Sequence, residues 1–108
     1  MGAWGFKVFE NDSACDFMFH IEKPIEKIAL KKKFDDFQYA DIRAAAELII
    51  KISNHYRFND EVIYALTDKL NFIKNDKEWI DSWRGKRGQL FIKRDLNRQI
   101  KALRKCVY

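Results

Sequence analysis

Glycine and proline are scarce in this chain of 108 residues, which contains four glycines and a single proline. β-Sandwiches and β-barrels need many tight turns, and these two residues supply many of the backbone conformations that such turns require. Their scarcity excludes a turn-rich β fold and favours helices joined by short connections. Because hydrophobic residues make up 47% of the chain, it can bury a core, and its length suits one domain. We therefore expect an all-α fold, a compact bundle of about five to six helices that forms a single domain over residues 1–108.

Residues that commonly carry out catalysis or bind metals are also few. The chain has two cysteines and two histidines, without the CxxC, HExxH or aspartate-rich patterns of metal sites, and its glycines form no phosphate-binding loop. Asp16 and His20 are four residues apart on a predicted helix, where a carboxylate can orient an imidazole, but no motif joins them to a nucleophile. We favour a structural hydrogen bond for this pair and expect no enzyme activity, cofactor, metal or small-molecule substrate.

Long apolar stretches and export signals are missing as well. No apolar run approaches the length of about 18 residues that a membrane-spanning helix needs. The first residues, MGAWGFKVFEND, lack the basic and apolar character of an export signal. We therefore expect a cytoplasmic protein without a membrane partner, in which Cys15 and Cys106 are reduced thiols.

Charge is distributed unevenly along the chain. Basic residues exceed acidic residues by 21 to 16 overall, and residues 79–108 alone contain nine basic and two acidic residues. Residues 31–78 are balanced, and residues 1–30 carry a small excess of acid. A basic C-terminal surface attracts an anionic partner, which can be a nucleic acid, an acidic protein surface or a lipid headgroup layer. The charge alone does not choose among these partners.

The first third of the chain is predicted to form an extended segment and two helices. Residues 1–11 are rich in glycine and aromatic residues, and we expect them to pack over the helical core as an extended segment. Apolar residues at helical spacing predict a helix over 12–22 and a second helix over about 24–35. Pro24 suits the first turn of that second helix.

Four more helices are predicted in the rest of the chain. A helix over 39–53 has an apolar face wide enough to contact helices on two sides, and another follows over about 60–74. A short helix carries Trp79 and Trp83 and ends in a basic loop at residues 84–88. The last helix is basic and amphipathic, with an apolar face formed by Leu96, Ile100, Leu103 and Val107.

The C-terminal block combines aromatic and basic side chains in a way that suits binding. Arginine and lysine contact phosphates while a tryptophan stacks on a base, or they pair with carboxylates on an acidic protein. Trp79 and Trp83 also fit the apolar face of a short helix, which favours core packing over stacking. No nucleic-acid-binding signature decides between these partners. The predicted partner-binding residues are Trp83, Arg84, Lys86, Arg87, Lys93, Arg94 and Arg98.

The N-terminal residues carry a specific motif, M-G-x-W-G-x-x-x-F-x-N-D-x-A-x-D, formed by Met1, Gly2, Trp4, Gly5, Phe9, Asn11, Asp12, Ala14 and Asp16. This motif resembles the signature of a family of small bacterial helical proteins classed as a domain of unknown function, and a looser similarity continues to the final helix. The resemblance implies a helical fold and a role as an immunity protein, and it brings no catalytic residues with it. From the residues themselves, we interpret the motif as a marker of the fold.

Together, the basic block and the resemblance lead us to expect an immunity protein. Such a protein would bind a cognate bacterial toxin of a contact-dependent inhibition type, a nuclease among the candidates, and occlude its active site. Because a nuclease has a basic cleft, a basic inhibitor would need an acidic surface on the toxin or a site beside the cleft. The alternative is a small nucleic-acid-binding accessory protein that uses the same residues. Salt separates the two, since binding through phosphates weakens steeply as salt rises.

Overall fold

The computed structural model of the protein describes residues 12–54, 56–83 and 85–107, with the side chains from His20 onward. Within these ranges the chain forms five α-helices and one 3₁₀ turn, and no residue lies in a β-strand. The all-α prediction is therefore confirmed. The helices are α1 (Asp12–Leu30), α2 (Tyr39–Ile52), α3 (Asp60–Lys74), α4 (Lys77–Asp81) and α5 (Gly85–Lys105), and the 3₁₀ turn (Asp36–Gln38) precedes α2.

The helix α1 replaces two helices that were predicted on either side of Pro24. Proline lacks a backbone N–H and disturbs the turn before it, which is why a break was expected there. In the structure the helix instead continues through Pro24 and ends at Leu30. Ile25 and, one turn further along the helix, Ala29 are buried in the core. Their burial on one continuous helical face outweighs the loss of a single helical hydrogen bond.

Helices α2 and α3 begin and end close to where the spacing of apolar residues predicts. In α2 the apolar face is buried but narrower than the predicted one, because Ala44 and Leu48 at its edge are exposed. In α3 the Asn59 side chain caps the helix by accepting a hydrogen bond from the Glu61 N–H at 2.9 Å. The apolar face of α3 is buried throughout, as predicted, and consists of Val62, Ile63, Leu66, Leu70 and Ile73.

The predicted basic loop at residues 84–88 is wrong over the part that the structure describes, residues 85–88. Residues 85–88 form the first turn of α5, and the short helix α4 before it ends at Asp81. Gly85 has a φ angle of +65°, a left-handed conformation that glycine adopts at little cost. The reversal of the chain between the two helices is therefore confined to a few residues, and Gly88 lies within the helix.

The core joins all five helices around α3. Helix α3 contacts α1, α2, α4 and α5, and α2 also contacts α1 and α5. The short helix α4 is tied to α2 because the Tyr39 hydroxyl donates a hydrogen bond to Asp76, at 2.6 Å, while Asp76 also accepts one from the Trp79 N–H. The fully buried aliphatic side chains include Ile49, Leu66, Leu70, Ile73, Ile92, Leu96 and Leu103.

Some sequence-based predictions fall on residues outside the described part of the chain. These are the extended segment at residues 1–11, the side chains of Cys15 and Asp16, and both His55 and Arg84. Cys106 is described, and it is a free, half-buried cysteine whose thiol donates to the Ala102 carbonyl. None of the described helices is both long enough and apolar enough to cross a membrane.

Candidate functional site

Helix α5 has one buried face and one strongly basic face. Its inner side chains pack against α2 and α3, and they include Ile92, Leu96, Gln99, Ile100 and Leu103. The opposite side is solvent-exposed over the whole length of the helix. Its exposed basic side chains are Lys86, Arg87, Lys93, Arg94, Arg98, Lys101, Arg104 and Lys105.

Seven of these eight basic side chains form no ion pair with any other described residue. The exception is Arg98. Like charges on one helix destabilise the isolated protein slightly when they lie three or four residues apart. Because no described acidic side chain pairs with these seven cations, their mutual repulsion is not compensated within the described part of the fold. A shallow depression of about 570 Å³ on the same side is lined by Arg94, Asn97, Arg98, Lys101, Ala102 and Lys105.

Two apolar side chains stand exposed within this basic surface. Leu90 is 52% exposed and Phe91 is 63% exposed. With Arg87 and Arg94 they occupy positions i, i+3, i+4 and i+7, which share one face of a helix. We call the surface formed by Arg87, Leu90, Phe91, Arg94, Lys101 and Lys105 the outer face of α5.

The structure places the described members of the predicted partner-binding set in three different environments, the third of which is that of Arg98, described below. Lys86, Arg87, Lys93 and Arg94 are exposed on α5, as the prediction requires of contact residues. Trp83 is half-buried and packs against the core, with its ring edge-on to Trp79 at 5.6 Å between centroids. The Arg43 guanidinium lies 5.9 Å from the Trp83 ring, so Trp83 contributes to packing between α2 and the start of α5.

Arg98 belongs to a cluster of ion pairs between α2 and α5. Its guanidinium contacts Glu47 of α2 at 2.6 Å and Asp95 of its own helix at 3.0 Å. Asp95 in turn contacts Arg43 of α2 at 2.8 Å. The charge of Arg98 is therefore balanced within the protein, which distinguishes it from Arg94 one turn earlier.

Gln99 completes this cluster from the buried face of α5. Its side-chain amide donates hydrogen bonds to the Arg43 carbonyl at 3.0 Å and to Glu47 at 3.1 Å. The side chain is 2% exposed, and these two bonds satisfy its amide nitrogen, whereas its Oε1 has no hydrogen-bond partner among the described residues. The partners on α2 therefore fix both the rotation and the position of α5.

The electrostatics of the cluster appear in the pKa values of its two carboxyl groups. A hydrogen bond from Arg98 holds the pKa of Glu47 below its ordinary value of 4.5, against the opposing effect of burial. Burial raises the pKa of Asp95, but hydrogen bonds from Arg43 and Arg98 outweigh it and leave that pKa below 3.8. Both carboxylates are thus stabilised in the charged form by the folded structure.

The histidine considered for catalysis lies apart from this surface. His20 is exposed at the edge of an apolar groove of about 350 Å³ between α1 and α2, which Ile21, Pro24, Ile28 and Leu48 also line. The side chain of Asp16, its predicted partner, is not among those described. Over the described residues, no three or more histidine, cysteine, aspartate or glutamate side chains come together as a metal site.

Sequence reasoning missed Leu90, Phe91 and Gln99. A basic loop was predicted up to residue 88, and the apolar face of the last helix was traced only from Leu96 onward. Extending the helical spacing backward from Leu96 reaches Ile92 and places Leu90 and Phe91 off the buried face. That signal was available, whereas the partners of Gln99 on α2 were not.

Comparison with known proteins gives one family match. Residues 2–101 match the model of a family described as a domain of unknown function, DUF4259. Neither the curated proteins nor the solved structures include a match to the chain.

Proposed function

The chain belongs to the DUF4259 family, and from the surface that α5 presents we propose that it is a binding protein whose outer face captures an acidic partner. In the finer form of this proposal, the partner is a cognate bacterial toxin and the protein is its immunity protein. Occlusion of the toxin's active site then neutralises it, and this protein performs no chemistry of its own.

The observation that supports this proposal is the set of seven cations on α5 that form no ion pair with a described residue. In a folded monomer their mutual repulsion is a cost, and a surface of opposite charge relieves it. Such a surface also accelerates association, because complementary charges steer the two proteins together before contact. The buried face of α5 fixes the helix backbone that carries these cations, so binding requires little ordering of the backbone.

The immunity role rests on the N-terminal motif and on the small helical fold. It requires that the contacted part of the toxin be acidic, either beside a nuclease cleft or in the active site of another class of toxin. A nucleic acid would also be attracted to seven cations. We favour a protein because Leu90 and Phe91 stand within the basic surface.

The test compares charge reversal on two surfaces. We would purify the tagged protein from its own cells, with nuclease present and with salt raised to about 0.5 M, where binding that depends on phosphates alone is weak. The captured protein would then be assayed for toxicity and for neutralisation. The variant R87E/R94E should lose capture by about tenfold or more.

The matched control is K31E/K32E, which makes the same change in charge at exposed residues outside the helices. It should leave capture unchanged. Equal loss in the two variants would mean that net charge alone matters, and no loss in R87E/R94E would remove α5 as the binding surface. If only nucleic acid is captured and salt releases it, the nucleic-acid-binding function replaces this proposal.

A further inference from the structure

Building on the proposed function, we infer that the acidic partner is a protein with an apolar recess, which Phe91 and Leu90 enter together. In this arrangement Arg87 and Arg94 pair with carboxylates at the rim of the recess. The remaining cations of α5 attract the partner without entering it. The inference concerns the chemistry of the partner's surface, and it assigns different roles to residues on the outer face of α5.

The geometry of α5 places these four side chains in one patch. Arg87 and Arg94 are seven residues apart, or about 10 Å along the helix axis. Leu90 and Phe91 lie between them on the same side. Both apolar side chains are more than half exposed, and neither arginine forms an ion pair with a described residue. An apolar centre with arginines at its edges matches the composition of binding hot spots.

The patch is held rigidly in place from behind. Ile92 and Leu96 are fully buried on the opposite face of α5, and Arg98 is fixed to Glu47 on α2. A side chain on a well-anchored helix loses little backbone freedom on binding. Exposure of Leu90 and Phe91 is therefore a property of a fixed surface, and burial by a partner would gain the hydrophobic contribution that folding leaves unused.

The composition of the patch favours a protein over the other anionic surfaces. Phe91 can stack on a base, but the aliphatic Leu90 has no aromatic plane for stacking. Insertion of a helix into a membrane surface requires a long apolar face, and the long apolar face of α5 is buried in the core. A carboxylate-lined recess in a protein satisfies both the apolar pair and the arginines.

The C-terminal part of the outer face has a different role. Lys101 lies ten residues beyond Phe91, or about 15 Å along the helix. That separation exceeds about 8 Å, the distance beyond which physiological salt largely screens two exposed charges from each other, so Lys101 does not pair with a carboxylate beside Phe91. Lys101 and Lys105 therefore act mainly on the rate of association, whereas Phe91 and Leu90 act mainly on the rate of dissociation.

The test uses two synthetic acidic helical peptides as probes. They have the same length and the same number of glutamates, and one carries two leucines on a single face where the other carries glutamines. A single-stranded oligothymidylate of equal charge serves as the third probe. The wild-type protein should bind the leucine peptide about tenfold more tightly than the glutamine peptide, in fluorescence anisotropy at about 0.05 M salt and again at about 0.3 M salt.

Substitutions then assign the preference to individual residues. L90A/F91A should bind the two peptides equally, whereas K101A/K105A should weaken both and keep the preference. The matched control is Phe72→Ala, since Phe72 is also an exposed phenylalanine, 57% exposed, but lies on α3. This control should bind like the wild type, and circular dichroism would establish that each variant is folded.

Equal affinity of the wild type for the two peptides, including undetectable binding of both, would overturn the inference. So would a preference that survives L90A/F91A, or oligothymidylate binding that L90A/F91A weakens as much as peptide binding. These results are separate from the failure of the proposed function. That function fails if R87E/R94E still captures the toxin, whereas an absent leucine preference with R87E/R94E-sensitive capture overturns only the inference.

Discussion

The Arg98 guanidinium lies 2.6 Å from a carboxylate oxygen of Glu47 and joins α5 to α2. Arg94, one turn earlier on α5, is exposed and forms no ion pair with a described residue. The two arginines are equivalent in the sequence, as members of the same basic helix, but the structure gives them different roles. Arg98 stabilises the packing of α5, and Arg94 remains free to contact a partner.

The first prediction separates these roles by substitution. Arg98→Ala should lower the free energy of unfolding by about 0.5 to 1 kcal/mol, a modest loss because the side chain is half exposed and solvent screens its ion pairs. Arg94→Ala should change it by less than about 0.5 kcal/mol. Urea denaturation followed by circular dichroism measures both values. A larger loss in Arg94→Ala than in Arg98→Ala would contradict the assignment.

The second prediction concerns acid. The pKa values of Glu47, Asp95 and Asp76 are lowered in the folded protein, so each carboxylate contributes stability above its unfolded pKa and loses that contribution as the pH falls through its folded pKa. Stability should therefore decrease as the pH drops below about 4.5, the ordinary pKa of Glu47. Urea denaturation at a series of pH values measures this dependence.

The variant Glu47→Gln identifies the contribution of one carboxylate to this acid sensitivity. It should be less stable than the wild type near neutral pH, because Arg98 loses a charged partner. The difference between the two proteins should shrink as the pH falls below 4.5 and on through the lower pKa of the folded Glu47, since the wild-type side chain is then neutral like glutamine. A constant difference across the whole range would show that Glu47 does not titrate with a lowered pKa.

The third prediction compares two leucines of the same helix. Leu96 is fully buried and Leu90 is 52% exposed. Leu96→Ala should cost about 2 to 5 kcal/mol, because it removes buried contacts and leaves a cavity. Leu90→Ala should cost less than about 0.5 kcal/mol. Thermal and urea unfolding would measure both, and a large cost at Leu90 would show that this side chain is packed rather than available to a partner.

The fourth prediction compares two glycines near the start of α5. Gly85 has a positive φ angle, and although an added Cβ atom would meet no other atom, the backbone conformation is strained for alanine. Gly85→Ala should therefore destabilise the protein by about 1 kcal/mol. Gly88 lies within the helix, and its added Cβ would make ordinary contact with Trp83 at 3.8 Å. Gly88→Ala should stabilise the protein by about 0.5 to 1 kcal/mol. Thermal unfolding measures both changes, and a lower melting temperature for Gly85→Ala with a higher one for Gly88→Ala would support both predictions.

Local patterns predicted much of the fold. The apolar spacing in α2 and α3 located both helices closely, because a long amphipathic stretch with a capping residue such as Asn59 leaves few alternatives. The same reasoning divided α1 at Pro24, since proline is unfavourable within a helix when tertiary contacts are ignored. Burial of Ile25 and Ala29 in the core reversed that preference, and only the packing of α1 against α2 and α3 supplies it.

The sequence by itself determined an all-α chain with its positive charge concentrated at the C-terminal end, because composition and helical periodicity are local properties. The tertiary structure decided which of those charges are available. Glu47 and Arg98 are 51 residues apart in the chain, and their ion pair forms only because the buried faces of α2 and α5 pack together. The same packing turns Leu90 and Phe91 toward solvent, since the rotation of α5 is fixed by its buried face.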